Sequence, residues 1–130
     1  MAQIVVIEDD SIMLLNLIEV LEYENYAPVG ARSGGEGLKL IESNPPDLIL
    51  CDVMLPDTDG FEMARALRAR SATAHIPLIF ISAHAERADH EQGSETNVVN
   101  YVMKPFDVSE LLEIIRSALD GDSHDAGQQV

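Results

Sequence analysis

The chain contains the apolar run Leu48-Ile49-Leu50-Cys51, which is followed directly by Asp52. The run is continuous rather than alternating, a pattern typical of a strand that is buried on both faces of a parallel sheet. Open α/β sheets bind their ligands at the carboxyl ends of the strands, which is where Asp52 would lie. This stretch therefore predicts an α/β fold and a functional site at one edge of its sheet.

Four other segments are predicted strands. Continuous apolar runs occur at Ile4–Ile7, Leu78–Ile81 and Tyr101–Met103. A weaker run, Tyr26–Ala31, contains Pro28, whose missing N–H removes one hydrogen bond from the ladder. We therefore expect this strand at an edge of the sheet.

Helical segments separate these strands. They are predicted over Ile12–Tyr23, Ser33–Asn44, Phe61–Ala69 and Val108–Leu119. Either Asp10 or Ser11 is placed to cap the first helix. Either Asp107 or Ser109 lies near the start of the last one and would have the same role.

The pattern is weak between the fourth and fifth strands. Residues Glu86–Asn97 are nearly all polar, with Gly93 in the middle and no apolar stripe. A helix here would have little apolar surface to bury, so we expect a short or mobile segment. Strand–helix alternation thus predicts a doubly wound, five-stranded parallel sheet in the order 2-1-3-4-5, with about five helices and an atypical, weak fourth.

Length and composition favour one acidic domain. The 130 residues fit a domain that we predict over residues 1–119, with residues 120–130 as a polar tail or the start of a linker. The net charge of −15 repels polyanions, so direct binding of nucleic acid or of a membrane is not expected. No apolar run approaches the ~18 residues of a membrane span, no secretory signal is visible, and the single Cys51 excludes an internal disulfide. These features predict a cytoplasmic protein.

Polar residues follow the central strands of the predicted sheet. They are Glu8-Asp9-Asp10 after the first strand, Asp52 after the third, Ser82-Ala83 after the fourth and Lys104-Pro105 after the fifth. In a parallel sheet these positions share the carboxyl edge. We therefore expect three acidic groups, a hydroxyl and an ammonium to converge on one crevice.

These groups predict a metal ion and a phosphoryl group. Closely packed carboxylates cannot all remain ionised without a cation, so Glu8, Asp9 and Asp52 imply a bound hard metal. Oxygen ligands without a Cys/His cluster favour Mg²⁺ over zinc, and Mg²⁺ readily shares a phosphate oxygen. Lys104 and Ser82 would contact phosphate oxygens, which leaves Asp52 as the nucleophile that attacks phosphorus in line.

The sequence resembles the response-regulator receiver domain of two-component signalling, of the chemotaxis-regulator type. The resemblance runs from Ile4 to about Leu119. It is carried by Val6-Ile7-Glu8-Asp9-Asp10, Leu50-Cys51-Asp52-Val53-Met54-Leu55-Pro56-Asp57-Thr58-Asp59-Gly60, Ile81-Ser82-Ala83 and Tyr101-Val102-Met103-Lys104-Pro105-Phe106. It implies a flavodoxin-like fold. It also implies a signalling module that catalyses its own aspartyl phosphorylation and dephosphorylation, rather than an enzyme that turns over a free substrate.

The resemblance also implies how the phosphoryl group arrives. Asp52 would take it from a phosphohistidine on a sensor histidine kinase or a histidine phosphotransfer protein. Asp9 would ligate Mg²⁺ directly, Glu8 through water and Met54 through its backbone carbonyl, and Asp52 would also belong to the metal site. The phosphorylated domain would then act on a downstream effector protein or a fused output domain.

Further roles are implied at the fourth and fifth strands. Ser82, Ala83 and Lys104 would bind the phosphoryl oxygens. Ser82 and Tyr101 would form the switch pair, in which the hydroxyl moves inward and the ring follows. The Lys104–Pro105 peptide bond is expected to be cis.

Two departures from the family pattern bear on regulation. The family often carries a Gly-Ala pair shortly before the tyrosine, where this chain has Asn97-Val98. By family analogy, the side chains of Met54 and His84 flank the path of water to the phosphorus. Met54 is apolar and cannot orient water, so we hypothesise slow self-hydrolysis, with His84 as a modifier.

Two other functional classes compete with this interpretation. One is a magnesium-dependent phosphohydrolase of the haloacid dehalogenase type, which usually has a second aspartate where this chain has Met54. The other is a constitutive binding module, which the joint presence of Asp9, Asp52, Ser82 and Lys104 argues against. The histidines His75, His84, His90 and His124 show no metal-ligand spacing and are expected at the surface.

Overall fold

A computed structural model of the chain describes residues 1–82 and 98–120. It contains one sheet of five strands, in which every neighbouring pair is parallel. The strands are β1 (Gln3–Ile7), β2 (Ala27–Ala31), β3 (Leu48–Asp52), β4 (Leu78–Ser82) and β5 (Val98–Met103). Their order is β2-β1-β3-β4-β5, which confirms the predicted topology. Strand β2, which contains Pro28, lies at one edge as expected.

The described residues form four helices. These are α1 (Ser11–Tyr23), α2 (Gly34–Ser43), α3 (Gly60–Arg68) and α4 (Val108–Leu119). Asp10 caps α1 by accepting hydrogen bonds from the backbone N–H groups of Ile12 and Met13. Asp107 caps α4 in the same way through the N–H of Ser109. At both helices the cap is therefore the aspartate, and not the serine that was the alternative.

Helices cover both faces of the sheet. Val5 and Ile7 of β1 pack into one apolar cluster together with buried residues of α2 and α3. Ile4 and Val6 pack into the other, together with buried residues of α1 and α4. Successive strand residues point to opposite faces, so a continuous apolar run supplies both layers of the core. The doubly wound architecture is therefore confirmed.

The start of β5 was predicted wrongly. The structure begins this strand at Val98 rather than at Tyr101. Its pairing with β4 shifts register between Leu78 and Ile79, so that Ile79 lies opposite Asn100. The polar Asn100 interrupts the apolar run that served as the signal, whereas strand pairing is made by backbone groups and does not require apolar side chains.

Two predicted segments lie outside the described residues. They are the weak helix expected over Glu86–Asn97 and the tail, of which only Asp120 is described. Within the described ranges, no helix is long and apolar enough to cross a membrane. Cys51 is fully buried, and desolvation raises the pKa of its thiol far above the usual range, which agrees with its expected role as a small core residue.

Candidate functional site

The registers of the sheet bring the predicted site residues to one edge. Ile7 pairs with Cys51, so that Glu8 and Asp52 follow side by side on neighbouring strands. Strand β4 ends at Ser82, which pairs with Met103 immediately before Lys104. The carboxyl ends of β1, β3, β4 and β5 thus meet, as the sequence pattern predicted.

Lys104 connects the acidic groups at this edge. Its Nζ lies 2.8 Å from Asp52 Oδ2 and 3.0 Å from Glu8 Oε1. Its backbone N–H donates to the carbonyl oxygen of Ser82 at 2.9 Å, which fixes the residue at the end of β5. Partial burial acts to lower the pKa of the ammonium, but the contacts with the two carboxylates outweigh it and raise the pKa. Lys104 is therefore a fixed positive charge at neutral pH.

Asp52 is held by a contact at each of its carboxylate oxygens. The residue is only 5% exposed. Oδ2 accepts from Lys104 Nζ, and Oδ1 accepts from the backbone N–H of Met54 at 3.0 Å. The hydrogen bond from the ammonium is charge-assisted, which makes it stronger than one between neutral groups. Asp52 is therefore a buried, oriented carboxylate, which is the state that a nucleophilic role requires.

Glu8 and Asp9 complete an acidic cluster. Single carboxylate oxygens of Glu8, Asp9 and Asp52 all lie within 4.8 Å of one another. Glu8 is 1% exposed and Asp9 is exposed, so the cluster reaches from the interior to the surface. Burial is the main cause that raises the pKa of Glu8, against the opposing effect of a hydrogen bond from the Asp10 N–H.

The cluster fits a hard divalent cation. Three carboxylates face one ammonium, so the ionised site carries an excess of negative charge. Glu8 Oε1 is buried, and its 3.0 Å ion pair with Lys104 lacks the angles of a hydrogen bond, so this oxygen retains a lone pair for another partner. Oxygen donors alone are the ligand set of Mg²⁺ or Ca²⁺ rather than of zinc.

A short hairpin after β3 orients the peptide of Met54. We call residues 53–60 the β3–α3 hairpin. Its cross-links are Gly60 N–H to Val53 O at 2.7 Å and Leu55 N–H to Thr58 O at 3.2 Å, with Met54 opposite Asp59. Met54 and Asp59 are thus a non-hydrogen-bonded pair of the antiparallel type, because the hydrogen bonds are made by the residues on either side of them. The backbone N–H and C=O of Met54 therefore point away from the hairpin. The N–H reaches Asp52 Oδ1, and the Met54 side chain is 62% exposed.

Ser82 and Tyr101 lie on neighbouring strands. Ser82 is buried at the end of β4, two residues after Phe80, and therefore points to the same face of the sheet as Phe80. The Tyr101 ring stacks on Phe80 with centroids 5.7 Å apart and an interplanar angle of 25°. The two residues of the predicted switch pair thus share one face of the sheet.

The family comparison decides the class of this fold and site. The model of the response regulator receiver domain matches residues 4–116. The chain belongs to this family. It is a receiver domain of the kind found in response regulators of two-component signalling, and such domains are signalling modules that work with histidine kinases and effectors.

Individual relatives agree with this assignment. The receiver domain is 32% identical to the polar-differentiation response regulator DivK of Brucella ovis, over 92% of this chain and 97% of DivK. It is 30% identical to protein PilH of Pseudomonas aeruginosa, over 93% of this chain and all of PilH.

Solved structures extend the agreement to three dimensions. A CheY-like receiver domain from Methanospirillum hungatei is similar with a TM-score of 0.87 and 28% identity, over 96% of this chain and 98% of that one. The receiver domain of a sensor histidine kinase from Pseudomonas aeruginosa, which has a magnesium ion coordinated in its active-site cleft, is similar with a TM-score of 0.83 and 26% identity. That match covers 92% of this chain and 98% of the other. The family assignment favours a signalling module over the phosphohydrolase alternative.

Some predicted residues of this receiver domain lie outside the described ranges. They are Ala83, expected at the phosphoryl oxygens, and His84, expected beside the path of water. His90 and His124 are outside as well, whereas His75 is exposed as predicted. The Lys104–Pro105 peptide bond is cis, as expected.

Two residues near the site were missed by the sequence analysis. Arg32 donates from Nη2 to the backbone carbonyl of Asp9 at 3.1 Å, which ties the end of β2 to the acidic cluster. Asp57 accepts two hydrogen bonds from the start of α2. Both contacts join segments more than 20 residues apart, and no local pattern in the sequence signals them.

Proposed function

We propose that this receiver domain accepts a phosphoryl group on Asp52 from a phosphohistidine, with Mg²⁺ bound beside it. One observation carries the proposal: Asp52 is buried between the Lys104 ammonium and the Met54 N–H, with the carboxylates of Glu8 and Asp9 next to it. A buried carboxylate with this surrounding is oriented for attack before the donor arrives.

In the proposed reaction, an Asp52 oxygen attacks phosphorus in line with the bond to the donor imidazole. An O–P bond forms, the P–N bond breaks, and its electron pair returns to the imidazole nitrogen. The result is an acyl phosphate on Asp52. Because its charge now lies on the phosphoryl oxygens, Lys104 and the Ser82 hydroxyl stabilise it as donors, together with Ala83. Hydrolysis of the acyl phosphate by water resets the domain.

The metal site is proposed at Glu8, Asp9, Asp52 and the backbone carbonyl of Met54. The acidic cluster and the outward-facing Met54 peptide support this set. Bound Mg²⁺ would supply neutralisation of the charge on the carboxylates and on the phosphoryl oxygens. The magnesium ion in the related receiver domain from Pseudomonas aeruginosa supports the choice of metal.

The conformational response is proposed at Ser82 and Tyr101. A phosphoryl group on Asp52 would draw the Ser82 hydroxyl inward, since that hydroxyl can donate to it. The shared face of the two residues and the stacking of Tyr101 on Phe80 support a coupled movement of the ring. The signal would then pass to an effector protein or a fused output domain.

A groove beside the site supports the proposed partner. It measures about 400 Å³ and lies between α1 and α4, with Ile12, Leu17, Phe106 and Leu111 among its walls. Asp10 also lines it and follows the acidic cluster directly, so a helix seated there would bring a histidine close to Asp52. We propose a helix of a sensor histidine kinase or a histidine phosphotransfer protein as the occupant. No nucleic acid or membrane is proposed as a partner.

Domain bounds of 1–119, with a tail or linker over 120–130, remain predictions, as does the cytoplasmic location. The family match over residues 4–116 supports the bounds. The acidic charge of −15 supports the exclusion of polyanionic partners.

The proposed function is tested by incubating the purified chain with acetyl phosphate in the presence and absence of Mg²⁺. We expect the intact mass to rise by one phosphoryl group only when Mg²⁺ is present. Asp52→Ala should remain unmodified under the same conditions. A wild-type chain that stays unmodified with donor and metal, or an Asp52→Ala chain that is modified equally, would overturn the proposal.

A further inference from the structure

The exposed carboxylate of Asp57 binds the backbone of a helix far from it in sequence. Oδ1 accepts from the N–H of Gly34 and Oδ2 from the N–H of Gly35, each at 2.9 Å. These are the first two residues of α2, whose own cap, Ser33, accepts only from the N–H of Glu36. Asp57 and Ser33 therefore divide between them the N–H groups that the helix cannot satisfy internally.

The contact leaves no space between the hairpin and the helix. A Cβ added at Gly34 would lie 2.3 Å from Thr58 Cγ2, and one at Gly35 would lie 3.4 Å from Asp57 Oδ2. A side chain at position 34 would therefore force Thr58 of the β3–α3 hairpin to move. The hydrogen bonds from Gly35 and Gly34 also lower the pKa of the Asp57 carboxyl, which keeps it ionised.

The hairpin connects Asp57 to the candidate site. Asp57 lies in the turn between Leu55 and Thr58, which is closed by the 3.2 Å hydrogen bond between their backbones. Pro56 in the same turn restricts the backbone further. Met54 lies just before this turn, and its N–H holds Asp52 Oδ1. A displacement of the turn is therefore transmitted to the peptide that orients Asp52.

We propose that Asp57 is a positioning residue for phosphoryl transfer: by holding the start of α2, it fixes the β3–α3 hairpin so that the Met54 peptide stays directed at Asp52. Asp57 does not touch the reacting atoms and acts through the hairpin alone. The inference rests on the proposed function for its consequence in catalysis. Its structural part, the dependence of the Met54 peptide on Asp57, is independent of that function.

The test compares Asp57→Asn with Asp47→Asn. Asp47 is a matched control because its exposed carboxylate also accepts a backbone hydrogen bond from a distant residue, Gln3, at 2.7 Å, in a loop that precedes β3 rather than follows it. An asparagine amide at position 57 can accept from only one of the two N–H groups and presents donors to the other. A second variant, Gly34→Ala, displaces the hairpin through Thr58 without changing the charge.

Two readouts are measured well below the melting temperature of each variant. One is the amide signal of Met54 and its hydrogen-exchange protection in a nitrogen-15 NMR spectrum, and the other is the rate of phosphorylation by acetyl phosphate with saturating Mg²⁺. We expect Asp57→Asn and Gly34→Ala to shift the Met54 amide and lower its protection. Both should slow phosphorylation about fivefold or more, because small misplacements of a reacting group reduce rates strongly. Asp47→Asn should leave both readouts unchanged.

The two proposals fail in different ways. If the wild type is not phosphorylated, the proposed function fails, and the Met54 amide still decides whether Asp57 holds the hairpin. If the wild type is phosphorylated and Asp57→Asn matches it in rate and in the Met54 signal, the positioning role is overturned. A lower melting temperature with both readouts unchanged also overturns it, because Asp57 would then serve stability alone.

Discussion

At the scale of single residues, the carboxylate of Asp52 is buried and lies next to a cation. A buried carboxylate is destabilised by desolvation unless a charge and hydrogen bonds compensate. Lys104 at 2.8 Å supplies the charge, and the Met54 N–H supplies a further hydrogen bond. The same two contacts hold the side chain in one orientation, which the proposed nucleophilic role would require.

Asp9 gives a selective test of the metal site. It is exposed, so Asp9→Asn should change the stability of the metal-free chain little. Mg²⁺ should stabilise the wild type by about 2.7 kcal/mol at a concentration one hundred times its Kd, because it binds only the folded state. We expect this stabilisation to be largely lost in Asp9→Asn when thermal melting is followed during a Mg²⁺ titration. An equal response of both chains would exclude Asp9 as a ligand.

Met54 tests the hypothesis on the lifetime of the acyl phosphate. Its side chain is exposed beside Asp52 and offers no hydrogen bond to water. Met54→Asn introduces a group that can orient a water molecule toward phosphorus, so decay of the phosphorylated state should become faster. The decay is followed by intact mass after removal of the donor, with Tyr23→Asn, an exposed substitution at the far end of α1, as control. Unchanged decay in Met54→Asn would contradict the hypothesis.

Site residues that directly follow a strand could be predicted from the sequence, whereas residues that connect two loops could not. Glu8, Asp52 and Lys104 each follow an apolar run, and parallel topology alone brings such positions together. Asp57 and Arg32 act through contacts with backbone groups more than 20 residues away. Nothing in their local sequence specifies such a contact, since it depends on how two loops pack after the sheet has formed.

At the scale of elements, the ends of helices and strands place the functional groups. The aspartates at positions 10, 59 and 107 cap α1, α3 and α4, and the first and last of these helices line the groove beside the site. Helix starts were predicted closely because caps have strong residue preferences. The start of β5 was predicted less well, because the polar Asn100 pairs with β4 through its backbone and interrupts the apolar run from which strands were predicted.

The contact between the hairpin and α2 predicts a dependence of stability on pH. Hydrogen bonds from Gly35 and Gly34 lower the pKa of Asp57 in the folded state. A carboxyl whose pKa is lowered by folding stabilises the folded state at pH values above the pKa that it has in the unfolded chain, which is near 4. This contribution to the free energy of unfolding is lost as the pH falls through the pKa of the carboxyl in the folded state. We expect Asp57→Asn to be less stable than the wild type at neutral pH.

The difference in free energy of unfolding between these two chains should shrink below about pH 4, as measured by urea unfolding at several pH values. Asp47→Asn serves again as the control for an exposed carboxylate. A difference that persists unchanged in acid would show that the ionised form of Asp57 does not make the contribution.

At the scale of the whole molecule, the proposed function assigns different steps to one edge of the sheet and to one groove. The edge contains the groups that would react with phosphorus, and the groove between α1 and α4 would hold the protein that delivers it. On this proposal, a small-molecule donor would need only the edge, whereas a protein donor would need both the edge and the groove. A substitution in the groove should therefore separate docking from chemistry.

Ile12 provides that separation. Its side chain is 72% exposed on the first turn of α1 and lines the groove. In a panel of purified histidine kinases phosphorylated with ATP, the kinase that most rapidly phosphorylates the wild type serves as the donor. We expect Ile12→Lys to lower kcat/KM with this kinase about tenfold or more, as the loss of an apolar anchor in an interface does.

Two comparisons complete the test. Phosphorylation of Ile12→Lys by acetyl phosphate should proceed at the wild-type rate, since the residue is not among the reacting groups. Tyr23→Lys makes the same charge change at the opposite, exposed end of α1 and should affect neither donor. Equal losses with the kinase and with acetyl phosphate would mean that the groove is not a separate docking surface.

The identity of the modified residue is the most direct test of the central claim. The phosphorylated chain is treated with borohydride, which reduces an aspartyl phosphate to homoserine, and its peptides are sequenced by mass spectrometry. Homoserine at position 52 alone, formed only when Mg²⁺ was present, is the predicted result. Homoserine at another acidic position, or a phosphoryl group that survives borohydride, would contradict the assignment of Asp52 as the phosphoacceptor.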